Sequence, residues 1–152
     1  MSATCSFSEL ALQEDFEEVE VLRRGESWDG ADRWSASLVS TLEVRVELAP
    51  AFHPDHVFHA RLVWDRYPDS PPSLVFFDPQ SGSKDEPRAW PTGGPFRPVT
   101  GLCVNYTREG FAMHPEWVND ARLRWQTGGN VLLKVLRFLQ DDLDTGYSGR
   151  HQ

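Results

Sequence analysis

The sequence feature that most constrains the fold is a short apolar run held between two stretches rich in proline. Residues 67–72 read Tyr-Pro-Asp-Ser-Pro-Pro, and the apolar run follows at residues 73–77. Residues 78–100 then contain five prolines and three glycines. Proline has no amide hydrogen and restricts the residue before it, so this density of breakers excludes a helix or a regular strand. We therefore predict a stiff turn, a buried strand and a long loop that presents the thiol of Cys103.

The N-terminal residues predict an amphipathic helix. Ser6, followed three residues later by Glu9, fits a capping box in which each side chain satisfies the other's backbone amide. Apolar residues then recur at helical spacing among glutamates, and two arginines close the stretch. We predict a helix over residues 6–23, with Gly25 just beyond its end.

The residues after this helix predict an antiparallel sheet. From Trp34 the pattern switches to period two, and apolar residues alternate with polar ones over residues 41–48. Residues 57–64 read as the next strand, and residues 74–77 as a short buried one. Because these strands are close in sequence, a meander of three or four antiparallel strands is the simplest topology. Residues 104–125 show no regular pattern and are predicted to be irregular.

A second amphipathic helix is predicted near the C-terminus. Apolar residues recur at helical spacing over residues 132–143. Three polar residues are predicted to lie on the other face: Lys134, Arg137 and Gln140. The tail after residue 144 is predicted to fray.

Length and composition limit the classes of protein and partner. At 152 residues we predict one α+β domain, residues 1–152, with its ordered core at residues 6–144. The net charge of -8 argues against a nucleic-acid partner, which calls for a basic face. There is no apolar run long enough for a membrane span, and the N-terminus lacks the features of a secretory signal. Cys5 and Cys103 form no CxxC pair, which indicates free thiols in a reducing, cytoplasmic environment.

No metal or other cofactor is predicted for this chain. A zinc site needs about four cysteine or histidine ligands in spaced pairs. The available side chains do not make that pattern: Cys5, His53, His56, His59 and His114. The sequence also lacks the glycine-rich loop with which many nucleotide-hydrolysing enzymes hold phosphates.

Cys103 is the leading candidate for chemistry. A thiolate is the strongest side-chain nucleophile near neutral pH, and thioesters are activated acyl carriers. A free cysteine is often only a small buried apolar residue, but Gly101 and the loops on both sides favour an accessible thiol. His114 lies eleven residues further on and leaves open a Cys–His hydrolase, for which no third, orienting residue is identified.

Taken together, these motifs resemble the ubiquitin-conjugating enzyme (UBC) family. Residues 58–76, which include Tyr-Pro-Asp-Ser-Pro-Pro, match the family's most recognisable block nearly position by position. Gly-Leu-Cys-Val at residues 101–104 resembles the segment with the thioester cysteine. Trp125 and residues 131–136 resemble the tryptophan and the helix that come next. Over residues 6–144 the resemblance implies a UBC-like fold: an N-terminal helix, about four antiparallel strands, a long active-site loop and one following helix.

The resemblance also implies an activity that works through a cysteine thioester. An activating enzyme, docked on the N-terminal helix, would pass a ubiquitin-like modifier to Cys103. An amine on a target protein would then attack that thioester. Asp141 and Asp142 resemble an acidic pair that lies near the attacking lysine in the family.

The chain departs from the family eight residues before the cysteine. There the family's His-Pro-Asn supplies an asparagine that supports the thioester loop or its oxyanion, whereas this chain has Pro95. Three residues are candidates to replace that asparagine: Asn105, His114 and Asn119. His114 is slightly favoured because it lies in the loop after the cysteine.

Two further departures bear on which branch of the family is closest. The segment between Cys103 and Trp125 is longer than usual, and we expect the two C-terminal helices of the full eukaryotic form to be absent. The chain is closest to short bacterial conjugating-enzyme-like proteins, which are encoded with an activating enzyme, a ubiquitin-like protein and a deconjugating protease. Some of those systems act in antiviral defence. The alternative is an inactive UBC-variant module that binds a ubiquitin-like protein or scaffolds a complex; the missing asparagine favours it, and the retained Cys103 opposes it.

Overall fold

Helices and an antiparallel sheet make up an α+β arrangement in a computed structural model, which describes residues 6–24 and 34–152. Cys5 and Gly25, on which two of the predictions fall, lie outside the described residues. Three helices are described: α1 (Phe7–Arg24), α2 (Arg108–Met113) and α3 (Val131–Gly146). Four longer strands come between α1 and α2: β1 (Trp34–Ser40), β2 (Glu43–Leu48), β3 (Phe58–Val63) and β4 (Ser73–Phe76).

The main sheet confirms the predicted antiparallel meander. Its strand order is β1-β2-β3-β4, with every neighbouring pair antiparallel. Val44 faces Leu62, which in turn faces Leu74, and all three side chains are buried. Some boundaries were wrong. Residues 41–42 form the turn between β1 and β2, so the strand predicted over residues 41–48 begins at Glu43, and the bounds of β3 and β4 each differ by one residue from those predicted.

The two long helices close the apolar core. Helix α1 begins at the predicted capping box, in which Ser6 N–H donates to Glu9 at 3.3 Å and Glu9 N–H donates to Ser6 at 3.2 Å. Helices α1 and α3 contact each other, and their buried side chains join those of the sheet in one cluster. The assignment of Gln140 to the polar face of α3 was wrong. Gln140 is buried, and its amide nitrogen donates to the Ala49 carbonyl at 2.9 Å.

Tyr67 ties the proline-rich turn to both long helices. Its hydroxyl donates to the Asp15 carboxylate of α1 and accepts a 2.9 Å hydrogen bond from the Leu132 amide of α3. Burial raises the pKa of the Tyr67 hydroxyl, so the phenol remains the donor to Asp15. The Tyr67–Pro68 peptide bond is cis, and the Pro68 carbonyl accepts a 2.9 Å hydrogen bond from the Trp125 indole. The turn therefore holds together the middle of α1, the start of α3 and Trp125, which precedes α3.

The long loop before Cys103 is more regular than predicted. It contains a turn of 3-10 helix and three strands of two residues each: β5 (Pro91–Thr92), β6 (Phe96–Arg97) and β7 (Gly101–Leu102). Strands β6 and β7 pair with each other. The prolines and glycines of the loop prevent long helices and strands, yet they still allow paired strands of two residues.

The C-terminal tail, predicted to fray, instead forms a strand. Residues Gly149–Arg150 are β8, which pairs with β5 of the long loop. A β-carbon on Gly93 of this loop would lie 2.1 Å from the Gly146 carbonyl oxygen, so only glycine allows so close an approach. The tail thus packs against the loop that leads to Cys103.

The segment after Cys103, predicted to be irregular, contains a helix. Thr107 caps α2, and its hydroxyl accepts a 2.9 Å hydrogen bond from the Gly110 amide. Glu109 then fixes α2 to β4, since its carboxylate accepts from the Ser73 hydroxyl at 2.5 Å and from the Leu74 amide at 2.9 Å. A 3-10 helix, Pro115–Asn119, follows.

None of the helices in the described part of the chain is both long enough and apolar enough to cross a membrane.

Candidate functional site

A cavity of about 640 Å³ opens beside Cys103, and three segments of the chain line it. The first segment is residues 103–106, directly after β7. The second is residues 122–126, together with Trp117. The third is one stripe of α3, whose members lie at helical spacing: Val131, Lys134, Val135, Phe138 and Asp142.

Cys103 lies at the end of the β6–β7 pair, and its side chain is partly exposed. The Cys103 amide donates a 2.9 Å hydrogen bond to the Pro95 carbonyl, and the Val104 amide donates to the Leu102 carbonyl at 3.0 Å. Pro95 is the position where the resemblance leads one to expect an asparagine. Here that position provides an acceptor and no side-chain donor. The two backbone amides nearest the thiol are therefore already used within the loop.

Two amide side chains line the cavity with Cys103, Asn105 and Gln126, and Asn105 is only two residues from the cysteine. Its nitrogen donates one 3.3 Å hydrogen bond to the Leu123 carbonyl. A side-chain amide nitrogen carries two hydrogens, so this contact orients Asn105 and leaves a second donor. Asn105 can thus donate to a negatively charged oxygen that forms beside Cys103.

Asp142 lines the same cavity from the side of α3. The buried hydroxyl of Tyr106 donates a 2.6 Å hydrogen bond to its carboxylate. Burial raises the pKa of the Asp142 carboxyl, and the nearby charge of Asp141 raises it further, while the hydrogen bond from Tyr106 opposes both effects. Asp142 is therefore a half-buried carboxyl group with a fixed orientation and an elevated proton affinity.

Two of the predicted site residues do not line this cavity. His114 lies between α2 and the 3-10 helix, where its Nδ1 is 2.9 Å from the Glu116 carboxylate and its ring stacks on Trp117 with 4.4 Å between the centroids. Asp141 is exposed on the adjacent side of α3. Asn119, the third candidate donor, is also exposed and outside the cavity. The structure thus brings together Cys103, Asn105 and Asp142.

Four side chains that line the cavity were not predicted as site residues. They are Tyr106, Arg122, Arg124 and Lys134. One of them, Lys134, was predicted only to lie on the polar face of the second helix. Arg122 and Arg124 lie in a turn, and five consecutive residues from Arg122 to Gln126 line the cavity, so no periodic pattern in the sequence marks them. Nothing local pairs Tyr106 with Asp142, which is 36 residues away.

Within residues 6–24 and 34–152, no group of three or more histidine, cysteine or acidic side chains is placed to hold a metal ion. No protein-family model matches the chain, and no curated protein sequence shows significant similarity to it. The function of the cavity must therefore be inferred from the chemistry of the side chains that line it.

Proposed function

We propose that this protein is a conjugating enzyme with a UBC-like fold, which carries a ubiquitin-like modifier as a thioester on Cys103 and transfers it to an amine. The observation that carries the proposal is one cavity lined by a partly exposed thiol, an amide donor and an oriented carboxyl group: Cys103, Asn105 and Asp142. These are a nucleophile, an oxyanion donor and a group that receives a proton, which is what acyl transfer between a thiol and an amine requires.

In the first half-reaction, the Cys103 thiolate attacks the thioester carbonyl that joins the modifier's C-terminus to the activating enzyme. A tetrahedral intermediate forms, and its negative charge lies on the former carbonyl oxygen. The free N–H of Asn105 donates to that oxygen, because the Cys103 and Val104 amides are already bonded to carbonyls. The intermediate collapses, the activating enzyme's thiolate leaves, and the modifier remains on Cys103.

In the second half-reaction, a target amine attacks the Cys103 thioester and must lose a proton as the amide forms. Asp142 is the carboxyl group of the cavity, and its raised pKa makes it a better proton acceptor than an ordinary aspartate. Tyr106 holds the carboxylate in place with its 2.6 Å hydrogen bond. The Cys103 thiolate is the leaving group, and the enzyme returns to its starting state when Asp142 releases the proton to water.

The element order supports the same proposal. An N-terminal helix, a four-stranded antiparallel meander, an extended loop, the cysteine and a later helix follow one another as the resemblance implies. Helix α1 is the docking element for the activating enzyme. It carries several acidic residues, and it exposes Phe7 and Val21, which a partner would cover. The setting we propose is a bacterial cytoplasmic modification system of the kind that acts in antiviral defence.

One observation favours a second candidate, a UBC-variant module that binds a modifier without acylation. Pro95 replaces the donor expected before the cysteine, and its carbonyl accepts a hydrogen bond from the Cys103 amide. A loop without a side-chain donor at that position resembles the loop of a UBC variant that has lost its catalytic activity. We place this candidate second because Asn105 provides a donor in the cavity.

A charging assay tests the proposal. The purified protein is mixed with its cognate activating enzyme, the modifier and ATP, and the products are separated on a non-reducing gel. We expect a thiol-sensitive adduct with wild type, a thiol-resistant adduct with Cys103→Ser and none with Cys103→Ala. Cys5→Ser is the matched control and should charge like wild type. If the activating enzyme charges itself but no adduct forms on this protein, the conjugating function is wrong and the binding module becomes the leading candidate.

A further inference from the structure

Three cationic side chains line the Cys103 cavity, and their positive charge affects which modifier tails can bind there. Arg122 and Arg124 line it from the loop side, and Lys134 lines it from α3. We propose that the cavity selects modifiers whose C-terminal tail carries acidic side chains shortly before the terminal glycine. This inference rests on the proposed function, because it concerns the chain that is transferred to Cys103.

The three cations have no ion-pair partner within residues 6–24 and 34–152. Some basic residues of the described chain have one, as in Arg45–Glu43 and Arg108–Asp65, both at 2.8 Å, whereas others such as Arg61 and Arg88 have none. With a net charge of -8 the chain has an excess of carboxylates. What marks this cavity is that three cations without a carboxylate partner line it together.

The acidic content of the cavity does not cancel this charge. Asp142 is the one acidic side chain among the described residues that line it, and its carboxylate already accepts a hydrogen bond from Tyr106. The charges on the lining are therefore three positive and one negative. An anionic ligand is favoured there, and a cationic one is repelled.

The position of Cys103 identifies the ligand as a peptide tail. Transfer to the thiol requires the terminal glycine at Cys103, so the residues just before that glycine must pass through the cavity. Apolar rings and branched side chains line it between the cations: Trp117, Trp125, Val135 and Phe138. In an extended tail, successive side chains point to opposite sides, so apolar and acidic residues in alternation fit this lining. Glutamate or aspartate at the third to sixth positions from the end would reach the cations.

Peptide thioesters test this selectivity without the activating enzyme. The probes are Ac-Leu-Glu-Leu-Glu-Gly-Gly, the same sequence with lysine for glutamate, and a neutral version with glutamine, each as a C-terminal alkyl thioester. The full-length protein is mixed with each probe, and acylation of Cys103 is followed by mass spectrometry. Two exposed ion pairs, each changing a rate by up to about fivefold, give an expected preference of about tenfold for the glutamate over the lysine probe.

Variants without the three cations test whether these side chains cause the preference for the glutamate probe. We expect the triple variant Arg122→Gln, Arg124→Gln, Lys134→Gln to acylate equally with the glutamate and lysine probes. Its circular dichroism and urea unfolding should match those of wild type, and the neutral probe should still acylate it, which shows that its fold and thiol are intact. Arg88→Gln is the matched control, because Arg88 is an exposed cation outside this cavity, and it should keep the full preference.

The outcomes separate this inference from the proposed function. No preference for the glutamate probe, a preference that survives in the triple variant, or no acylation by any probe would overturn the inference. If the cognate modifier charges Cys103 in the presence of its activating enzyme and the peptides show no charge preference, only the inference fails. If the peptides show the expected preference but the activating enzyme transfers nothing, the proposed function fails and the charge selectivity of the cavity stands.

Discussion

The hydroxyl of Tyr106 donates a 2.6 Å hydrogen bond to Asp142, and this bond joins the segment after Cys103 to helix α3. Tyr106 is buried, whereas Asp142 is half-buried and reaches the cavity. The hydroxyl therefore has two effects: it stabilises the contact between the two elements, and it opposes the rise in the pKa of Asp142 that burial causes. Each effect can be measured separately.

Removal of the Tyr106 hydroxyl should lower the free energy of unfolding and shift the pH profile of amine transfer. Tyr106→Phe leaves Asp142 without its donor, which costs about 1–3 kcal/mol of unfolding free energy. The pKa of Asp142 should rise, because the hydrogen bond lowers it in wild type. We expect the acid limb of amine transfer from charged Cys103 to move to higher pH, as measured by single-turnover discharge at a series of pH values. Tyr147→Phe removes a 2.8 Å contact to His56 away from the cavity, so its pH profile should match that of wild type.

Substitution of Asp142 should change how stability depends on pH. Because burial raises its pKa, Asp142 stabilises the folded state below the unfolded pKa, and this contribution is lost as pH rises through the folded pKa. Asp142→Asn has no such loss, so its unfolding free energy should increase relative to wild type from about pH 3 to about pH 7. Urea denaturation at each pH gives the comparison.

Asp78→Asn provides a control of opposite sign for the same experiment. The pKa of Asp78 is lowered, chiefly by a hydrogen bond from the Gln80 amide. That group stabilises the folded state above its unfolded pKa, so Asp78→Asn should lose stability relative to wild type as pH rises. If Asp142→Asn loses stability relative to wild type as pH rises, as Asp78→Asn should, the effect assigned to Asp142 is wrong.

Loss of Asn105 should slow thioester formation more than loss of the other candidate donors. The free N–H of Asn105 is the side-chain donor of the cavity that is two residues from Cys103, so Asn105→Ala should reduce the charging rate of Cys103 roughly 10²-fold. Asn119→Ala and His114→Ala change residues outside the cavity and should keep rates within a few-fold of wild type. Charging rates under single-turnover conditions distinguish the three. A large loss in His114→Ala with a small one in Asn105→Ala would assign the donor to His114 instead.

The close contact at Gly110 should make that position intolerant of a methyl group. A β-carbon there would lie 1.7 Å from the Val104 carbonyl oxygen, directly beside Cys103. Gly110→Ala must therefore displace either α2 or the segment after the cysteine, at a cost of about 2–3 kcal/mol of unfolding free energy. Gly128→Ala is the control, because nothing lies within 4 Å of its added β-carbon, and its stability should stay within about 0.5 kcal/mol of wild type.

Arg150 should resist replacement by lysine. Its guanidinium lies 4.1 Å from the centre of the Phe58 ring and donates to the Val57 and Arg88 carbonyls at 2.8 and 2.7 Å. Lysine keeps the charge but cannot make the same planar contacts, so Arg150→Lys should lower the unfolding free energy by about 1–2 kcal/mol. Arg66→Lys changes a mostly exposed pair with Asp69 and should have almost no effect in the same urea titration.

The fold was predictable where a local pattern fixes an element. The capping box at Ser6 and Glu9 and the alternation in β2 determine their elements from adjacent residues, and both are present in the structure. Helix α2 was missed because a helix of six residues is too short to show a period, although Thr107 is an ordinary N-cap residue. Strand β8 was missed because its partner β5 is distant in sequence.

The candidate site was predictable at Cys103 and Asp142, which the resemblance identifies, and less so around them. His114 was favoured as a donor because it lies in the loop after the cysteine, but its ring is held against Trp117 outside the cavity. Asn105, two residues from the cysteine, lines the cavity instead. Helix α2 lies between Asn105 and His114 in the chain and separates them in space, and that helix had not been predicted.

The pairing of β5 with β8 implies that the amide hydrogens of two segments distant in sequence exchange with solvent as one cooperative unit. The Ser148 amide donates to the Thr92 carbonyl at 2.8 Å, and the His151 amide donates to the Trp90 carbonyl at 2.9 Å. Gly93 also lies against Gly146 without room for a side chain. Opening either segment breaks the contacts of the other, so we expect the amides of Ser148 and His151 to share one opening free energy with that of Cys103. The terminal residues of the chain thereby set how often the cysteine loop opens.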